Sequence, residues 1–175
     1  MAAGCIKAMD GTKAETIVML DPSCAAFMKH QCAEWGMQPA AEIVTATSYF
    51  AGLIGSGKLK PANLGGKAAF HDPCRLARDM GETESAREII ADMGIELEEL
   101  FLNRQFTRCC SGAVMKETNP KMSKKMADAR WADVETSGAV RLITACPSCA
   151  EILGGDVHEG SELCDLFELL ASACT

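Results

Sequence analysis

Five of the ten cysteines in this 175-residue chain are arranged in a way that could bind a metal. They are Cys74, the adjacent pair Cys109-Cys110, and the two cysteines of Cys146-Pro147-Ser148-Cys149. Thiolate sulfur is a preferred ligand of zinc and of iron–sulfur clusters, so three distant cysteine segments predict convergence on one soft-metal centre. Five thiolates are one more than a tetrahedral zinc or a four-cysteine cubane needs. The fifth indicates either an iron–sulfur core of unusual shape or a cysteine that stands beside the metal.

Two of these segments directly follow short apolar strands. Residues 67–71 predict a strand that stops before Cys74, and residues 141–145 predict one that stops before Cys146. In open parallel sheets, ligands bind beyond the carboxyl ends of the strands. We therefore expect Cys74 and Cys146 to lie at the same sheet edge.

Helix signals accompany the other cysteines. Pro147 suits a first helical position, which places Cys149 in a first helical turn, where the helix dipole and free N–H groups favour a thiolate. Cys109 and Cys110 fall in a loop before the longest predicted helix, residues 119–137, and Gly112 permits a tight turn there.

The chain contains two similar segments, residues 17–25 and 142–150, each of which reads as a strand, a Pro-Ser-Cys turn and a helix start. The second has Cys146 where the first has Asp21. Amphipathic helices are predicted after them, at 45–54 and 161–171. A further helix is predicted at 83–93 with Thr83 as its cap, and a weaker strand at 95–100.

Short strands alternating with helices predict an α/β fold. We expect two pseudo-repeated Rossmann-like lobes, with short parallel sheets flanked by helices and the first lobe incomplete. Gly65-Gly66 marks the linker between them. The predicted units are residues 1–62, a partial first repeat without a full ligand set, and residues 63–175, a complete cysteine-rich repeat.

Composition narrows the functional class. A net charge of −7 argues against a nucleic-acid surface. No apolar run reaches the roughly 18 residues of a spanning helix, and the first residues do not resemble a signal peptide. Abundant cysteine without a secretory signal favours metal binding over disulfides. We expect a cytoplasmic protein, attached to the inner face of a membrane only through partner subunits.

The motifs His71-Asp72-Pro73-Cys74, Cys109-Cys110-Ser111-Gly112 and Cys146-Pro147-Ser148-Cys149 resemble a known family. They are similar to the cysteine-rich CCG domain found in heterodisulfide reductases and their relatives. Those relatives include iron–sulfur subunits of lactate, glycolate and glycerol-3-phosphate oxidising systems. The resemblance covers residues 63–175 closely and residues 14–60 as the tail of a preceding copy.

The resemblance implies a redox subunit of heterodisulfide-reductase type. Such a subunit transfers electrons through a non-cubane [4Fe-4S] cluster to a disulfide or thiol substrate. The ligands implied for this chain are Cys74, Cys109, Cys110, Cys146 and Cys149. The implied partners are redox subunits carrying ferredoxin-like clusters or flavin, and a small thiol, a disulfide or a thiol-bearing protein.

The chain departs from the family pattern at two places. Ser111 replaces the first glycine of the CCG motif, and the first repeat lacks most of its ligands, with Asp21 in place of one cysteine and only Cys24 retained. We therefore expect one centre, a structural first lobe, and a chain that corresponds to the C-terminal portion of a longer protein or to a short family member.

Several alternatives stay open from the sequence. The chain could instead be an electron-transfer module of a lactate, glycolate or glycerol-3-phosphate dehydrogenase complex, or a structural module of such a complex in which four of the cysteines hold zinc. His71 is a candidate catalytic residue that could hydrogen-bond a cluster sulfur or donate a proton to a departing thiolate, or it could simply satisfy the backbone. Cys5, Cys32, Cys164 and Cys174 are expected to pack as small apolar residues.

Overall fold

The computed structural model describes residues 2–174, which form a mixed α/β fold with two parallel sheets. The strands are Thr16–Met19 (β1), Glu42–Thr45 (β2), Lys67–His71 (β3), Glu96–Glu98 (β4), Arg141–Thr144 (β5) and Glu162–Asp165 (β6). The α-helices are Ala2–Gly11 (α1), Pro22–Ala26 (α2), Cys32–Glu34 (α3), Ala46–Gly55 (α4), Ser85–Asp92 (α5), Gly112–Thr118 (α6), Pro120–Ser137 (α7), Pro147–Gly154 (α8) and Leu166–Ala173 (α9). A π-helical segment, Phe27–Gln31, joins α2 to α3, and another, Arg75–Asp79, follows Cys74.

The first lobe is built on a two-stranded sheet. β1 and β2 pair in parallel, with Thr16 opposite Glu42 and Met19 opposite Thr45. A small apolar cluster, made by Ile6, Ala25, Met28, Cys32 and Ile43, packs around this sheet. Because two strands bury little surface, several apolar residues of the first lobe, including Leu20 and Trp35, are exposed.

The second lobe is built on a four-stranded parallel sheet with the order β4-β3-β5-β6. One face packs against α5 and α9, and its core includes Phe70, Ile89 and Ile143. The other face packs against α7 and α8 through Trp131 and Leu142. Helices cover both faces, so the central strands β3 and β5 are buried on both sides and carry apolar runs instead of alternating patterns.

The connections of this sheet create a topological switch point between β3 and β5. From β3 the chain passes through α5 to β4 on one side, and then through α6 and α7 to β5 on the other side of β3. The carboxyl ends of β3 and β5 therefore border a crevice, which is where open α/β sheets bind ligands.

Local sequence signals explain where key helices start and stop. Asp21 accepts hydrogen bonds from the N–H groups of Ser23 and Cys24, and Asn119 accepts one from Met122; each of these caps is followed by proline at the first helical position. α7 ends at Gly138, whose φ of 78° is the left-handed conformation that favours glycine at a helix end.

The predicted α/β class and its flanked parallel sheets are confirmed, but several local predictions were wrong. The segment predicted as helix 161–171 contains β6, because Glu162–Asp165 pairs with β5 and only Leu166–Ala173 is helical. Thr83 does not cap α5, since its hydroxyl donates to Glu84 and the helix starts at Ser85. β2 and α1 were not predicted.

The boundary between units at residues 62 and 63 stays a prediction. Gly65 and Gly66 both have positive φ, at 63° and 84°, in the segment that enters β3. No helix within residues 2–174 is both long enough and apolar enough to cross a membrane.

Candidate metal centre

All five cysteines of the predicted ligand set line one cleft at the switch point of the second sheet. Cys74 follows β3, Cys146 and Cys149 follow β5, and the Cys109-Cys110 pair arrives on the loop after β4. The cleft has a volume of about 320 Å³ and is open to solvent. Its other lining residues are Ser23, Pro73, Arg75, Ser111, Gly112, Ala113, Val114 and Ser148.

The sulfur atoms approach one another closely. Cys74 Sγ lies 3.6 Å from Cys109 Sγ, and Cys110 Sγ lies 3.2 Å from Cys149 Sγ. A ring nitrogen of His71 lies within 4.8 Å of the sulfurs of Cys110 and Cys149. All five thiols are free, and the set runs from half-buried at Cys74 and Cys109 to buried at the other three.

The thiols are not equivalent electrostatically. Hydrogen bonds from the thiols of Cys110 and Cys74 lower the pKa of Cys109 to about 2. The hydrogen bond with Cys109 raises the pKa of Cys110 to about 12. A hydrogen bond with Cys109 also raises the pKa of Cys74, by a larger amount. In both cases the thiol keeps its proton because it is the donor. A thiolate at Cys109, surrounded by thiol donors, gives the site a nucleophilic sulfur suited to metal capture.

The second cysteine with a lowered pKa is Cys146, at the N-terminus of α8. A hydrogen bond from Cys149, together with the N–H groups of Cys149 and Ser148, lowers the pKa of Cys146, against the opposing effect of burial. The hydrogen bonds with Cys110 and Cys146 have the opposite effect on Cys149: they raise its pKa, because they favour the protonated thiol.

The loop that carries Cys109 is held against the turn that carries Cys74. Thr107 Oγ1 donates a 3.0 Å hydrogen bond to the carbonyl oxygen of Asp72. Arg78 donates to the carbonyl oxygens of Gln105 and Thr107. Arg78 therefore joins the two cysteine segments and is engaged with the backbone instead of being free in solvent.

A buried ion pair fixes the same turn from beneath. Arg87 donates to both carboxylate oxygens of Asp72, at 2.7 and 3.0 Å, and also binds Glu99. Asp72 additionally accepts the backbone N–H of Arg104 at 2.9 Å. The carboxylate of Asp72 is thus fully engaged by these groups, and it ties β3, α5 and the cysteine-bearing loop together.

His71 is completely buried at the end of β3. Arg130 Nε donates a 2.9 Å hydrogen bond to His71 Nδ1, while His71 Nε2 has no hydrogen-bond partner among residues 2–174. Burial, and then the charge of Arg130, lower the pKa of His71 to about 3. A neutral imidazole does not suit the sequence-based suggestion that His71 delivers protons; that role stays a prediction.

The first lobe contributes to the surroundings of the cleft. Its Pro-Ser-Cys turn faces the one of the second lobe, with Ser23 in the cleft wall and Ser148 Oγ 3.5 Å from Asp21 Oδ2. Burial, followed by the charges of Asp21 and Cys146, raises the pKa of the exposed Cys24 thiol. The lobe expected to be purely structural therefore also places a carboxylate beside the site.

Sequence reasoning identified the cysteines but missed the residues that position them. Asp72, Arg87, Thr107 and Arg130 had no motif of their own, and Arg130 lies within an ordinary-looking long helix. The prediction that the remaining cysteines pack internally holds for Cys32, whereas Cys5 and Cys174 are exposed and Cys164 is intermediate and lies on β6.

Comparison with known families matches residues 68–154 to the family described as "Cysteine-rich domain" (CCG). These residues run from β3 through α8 and include all five clustered cysteines. This segment belongs to the CCG cysteine-rich domain family.

Relatives of this chain include a dihydromethanophenazine:CoB–CoM heterodisulfide reductase subunit of Methanosarcina acetivorans, 28% identical over 94% of this chain and 43% of the relative. Another is a probable membrane-anchored ferredoxin of Chromohalobacter salexigens, 29% identical over 91% of this chain and 25% of that protein. A third is lactate utilization protein A of Halalkalibacterium halodurans, 31% identical over 83% of this chain and 63% of that protein. This chain thus spans less than two thirds of the length of each of these relatives.

Proposed function

We propose that this chain is an iron–sulfur redox subunit of heterodisulfide-reductase type. In this proposal Cys74, Cys109, Cys110, Cys146 and Cys149 hold a non-cubane [4Fe-4S] cluster, and the subunit passes electrons to a disulfide substrate, which two electrons and two protons convert into two thiols. The observation that carries the proposal is the convergence of five free thiols in one open cleft at the switch point.

The donor set suits an iron–sulfur group. Thiolate is the ligand of such clusters, and the lowered pKa values of Cys109 and Cys146 favour the form of these two sulfurs that binds metal. When bound, the cluster would accept and supply single electrons. Heterodisulfide reductase and lactate utilization relatives, and a relative named as a ferredoxin, support a redox assignment.

The protein around the site would control access and charge. Arg75, exposed at the cleft wall, offers a cation to an anionic substrate, and Ser23 and Ser148 offer hydroxyl donors. The opposite side of the cysteine set is closed by the core, where Leu142, Trp131 and Leu153 exclude water. Substrate would therefore approach from one side only, with Arg75 and the two serines orienting it.

The chain would work inside a complex. Relatives are named as parts of oxidoreductases, including a subunit of the fumarate reductase (CoM/CoB) of Methanothermobacter marburgensis. We propose partner subunits that carry ferredoxin-like clusters or flavin and deliver electrons to this site.

One observation favours a second candidate, a zinc module of a lactate, glycolate or glycerol-3-phosphate dehydrogenase complex. Two sulfurs bound to one zinc at about 2.3 Å in a tetrahedron lie roughly 3.8 Å apart. The 3.6 Å separation of Cys74 from Cys109 is close to that value. Under this alternative four of the cysteines bind zinc and the fifth does not.

Metal analysis distinguishes the two candidates. Protein purified without oxygen should contain about four iron and four sulfide per chain if the cluster is present. About one zinc per chain without iron or sulfide would overturn the iron–sulfur proposal.

Cysteine substitution then tests the ligand set. Replacing Cys109 or Cys110 with alanine should abolish iron loading, whereas the exposed Cys5 and Cys174 provide matched controls whose replacement leaves it unchanged. Unaltered iron content in C109A would remove Cys109 from the site.

Substrate chemistry is tested separately. Adding a substrate thiol to the oxidised protein should generate a new paramagnetic species if the cluster acts on disulfides. If the spectrum of the iron-loaded protein does not change with any thiol, the chain does not act on disulfides and is an electron carrier only.

A further inference from the structure

The guanidinium group of Arg130 is held rigidly inside the protein beside the cysteine cleft. Arg130 has no exposed surface, and four groups surround it. Its Nη2 donates to the carbonyl oxygen of Leu102 at 2.9 Å and to Thr107 Oγ1 at 3.0 Å, and Nη1 contacts Asp133 at 3.1 Å. With these directions fixed, the Nε–H group is aimed at His71 Nδ1, 2.9 Å away.

This contact determines which tautomer of His71 exists. Arginine carries only hydrogen-bond donors, so Nδ1 must be the acceptor and cannot carry a proton. The proton of the neutral ring is therefore on Nε2. A doubly protonated ring would point an N–H group at the guanidinium N–H and is excluded by the same contact.

The Nε2–H group is left without a protein acceptor. Nε2 is the one buried side-chain N or O atom without a hydrogen-bond partner in residues 2–174. The ring lies within 4.8 Å of the sulfurs of Cys110 and Cys149. The two sulfurs do not form a hydrogen bond with Nε2 at these distances. Because a buried unpaired donor is unfavourable and thiolate sulfur accepts hydrogen bonds, they are the acceptors that the Nε2–H group would meet when the site closes around a metal.

We propose that Arg130 is a positioning residue that holds His71 as the Nε2–H tautomer, so that His71 donates a hydrogen bond to a ligand sulfur of Cys110 or Cys149. Metal-binding histidines donate their second N–H to an acceptor, but here the second nitrogen faces a donor. The contact with Arg130 therefore prevents His71 from acting as a metal ligand, although a metal bound by the two sulfurs would be close enough to the ring for such a bond. This inference rests on the proposed function.

The consequence is electrostatic. Hydrogen bonds to cluster sulfurs set the reduction potential, because they stabilise the more negative reduced state. His71 should make the centre easier to reduce than the cysteines alone would. Arg130 acts on the potential through His71 and touches no ligand itself.

Two substitutions of His71 separate a hydrogen-bond role from a packing role. In His71→Gln the amide nitrogen can occupy the position of Nε2 and still donate, whereas in His71→Asn the shorter side chain cannot reach it. His158→Asn is the matched control, since His158 stacks on Trp131 and bonds to Glu135 on the surface. Only variants with wild-type iron content are compared.

The readouts are the midpoint potential and the exchangeable-proton coupling seen by electron–nuclear double resonance of the reduced cluster in H₂O and D₂O. We expect H71N to lower the potential and lose one coupling, and H71Q and His158→Asn to resemble the wild type. Equal potentials and couplings in all four proteins would overturn the hydrogen bond.

Two substitutions of Arg130 test its positioning role separately. Arg130→Gln offers an acceptor to Nδ1 and so allows the proton to move there; its potential should fall toward that of H71N, while Arg130→Lys should retain part of the effect. Wild-type potential and coupling in folded R130Q would overturn the positioning role. If R130Q does not fold, the tautomer of wild-type His71 in a zinc-loaded sample decides: a proton on Nε2 upholds the positioning role, and a proton on Nδ1 overturns it.

A final measurement separates this inference from the proposed function. If the wild-type chain carries zinc instead of iron, the proposed function fails. The tautomer is then read directly from long-range ¹H–¹⁵N correlations of the zinc-loaded protein. A protonated Nε2 upholds the Arg130–His71 inference, and a protonated Nδ1, or histidine nitrogen bonded to the metal, overturns it.

Discussion

Asp21 Oδ2 lies 3.5 Å from Ser148 Oγ, which joins the two Pro-Ser-Cys turns of the molecule across the cysteine cleft. The other carboxylate oxygen of Asp21 caps the helix of its own lobe by accepting from Ser23 N–H at 2.6 Å. One side chain therefore fixes a helix in the first lobe and presents negative charge to the ligand loop of the second. In the similar segment of the second lobe, the same position is Cys146.

Removing the charge of Asp21 should raise the reduction potential of the centre. Asp21→Asn keeps a capping oxygen, so the fold is retained, but it removes a negative charge whose effect on an added electron is on the order of 1 kcal/mol. Redox titration measures the shift. Asp92→Asn is the control, because exposed Asp92 ends α5 at the opposite edge of the sheet. An equal shift in both variants would refute a local effect.

The buried pair of Arg87 with Asp72 should be a major source of stability around Cys74. Arg87→Met leaves the carboxylate of Asp72 buried and without its main partner, and such a change costs about 3–5 kcal/mol. Urea unfolding measures this loss. The exposed pair Arg75–Asp79 supplies the comparison, since Arg75→Met should cost about 1 kcal/mol or less. Similar losses in the two variants would contradict the assignment.

Ser111 should be a strained position in the cysteine loop. Its φ is 102°, a region that favours glycine, while its hydroxyl hydrogen-bonds the hydroxyl of Ser123 at 2.6 Å. Ser111→Ala keeps the strain and loses the bond, whereas Ser111→Gly loses the bond and relieves the strain. We expect the glycine variant to be more stable than the alanine variant by about 1–2 kcal/mol. Thermal unfolding at equal metal content measures the order, and a more stable S111A would show that the backbone is unstrained.

Glu99 should add stability that disappears in acid. Hydrogen bonds from Arg87 lower the pKa of Glu99, against the opposing effect of burial. A carboxyl with a lowered folded-state pKa stabilises the fold above its unfolded pKa of about 4.3, and this contribution is lost as pH falls through the folded value. Glu99→Gln should therefore show a smaller drop in unfolding free energy as the pH falls from about 5 to about 2, through the folded-state pKa. An unchanged drop would be inconsistent with this role, and Glu159→Gln on an exposed turn serves as control.

The elements that local sequence specifies were predicted well. Residues 67–71 are β3 as predicted, because a run of buried apolar residues ends at a proline turn. The long helix was predicted over 119–137 and spans Pro120–Ser137, since Asn119, Pro120 and Gly138 mark its ends independently of the rest of the molecule. β6 was missed because four residues become a strand only through pairing with β5, and that partner is not visible in the local pattern.

The sequence by itself determined the chemistry available to this protein: five cysteines placed after strands and at a helix N-terminus, where a parallel sheet gathers its ligands. The sequence also indicated the family, because each cysteine motif is a short contiguous stretch that can be recognised without the structure. Tertiary structure alone decided what surrounds those sulfurs. Arg130 and His71 are 59 residues apart, and Asp21 and Ser148 are 127 apart. Hydrogen-bond direction and burial belong to such distant pairs, and they exist only once the chain has folded around them.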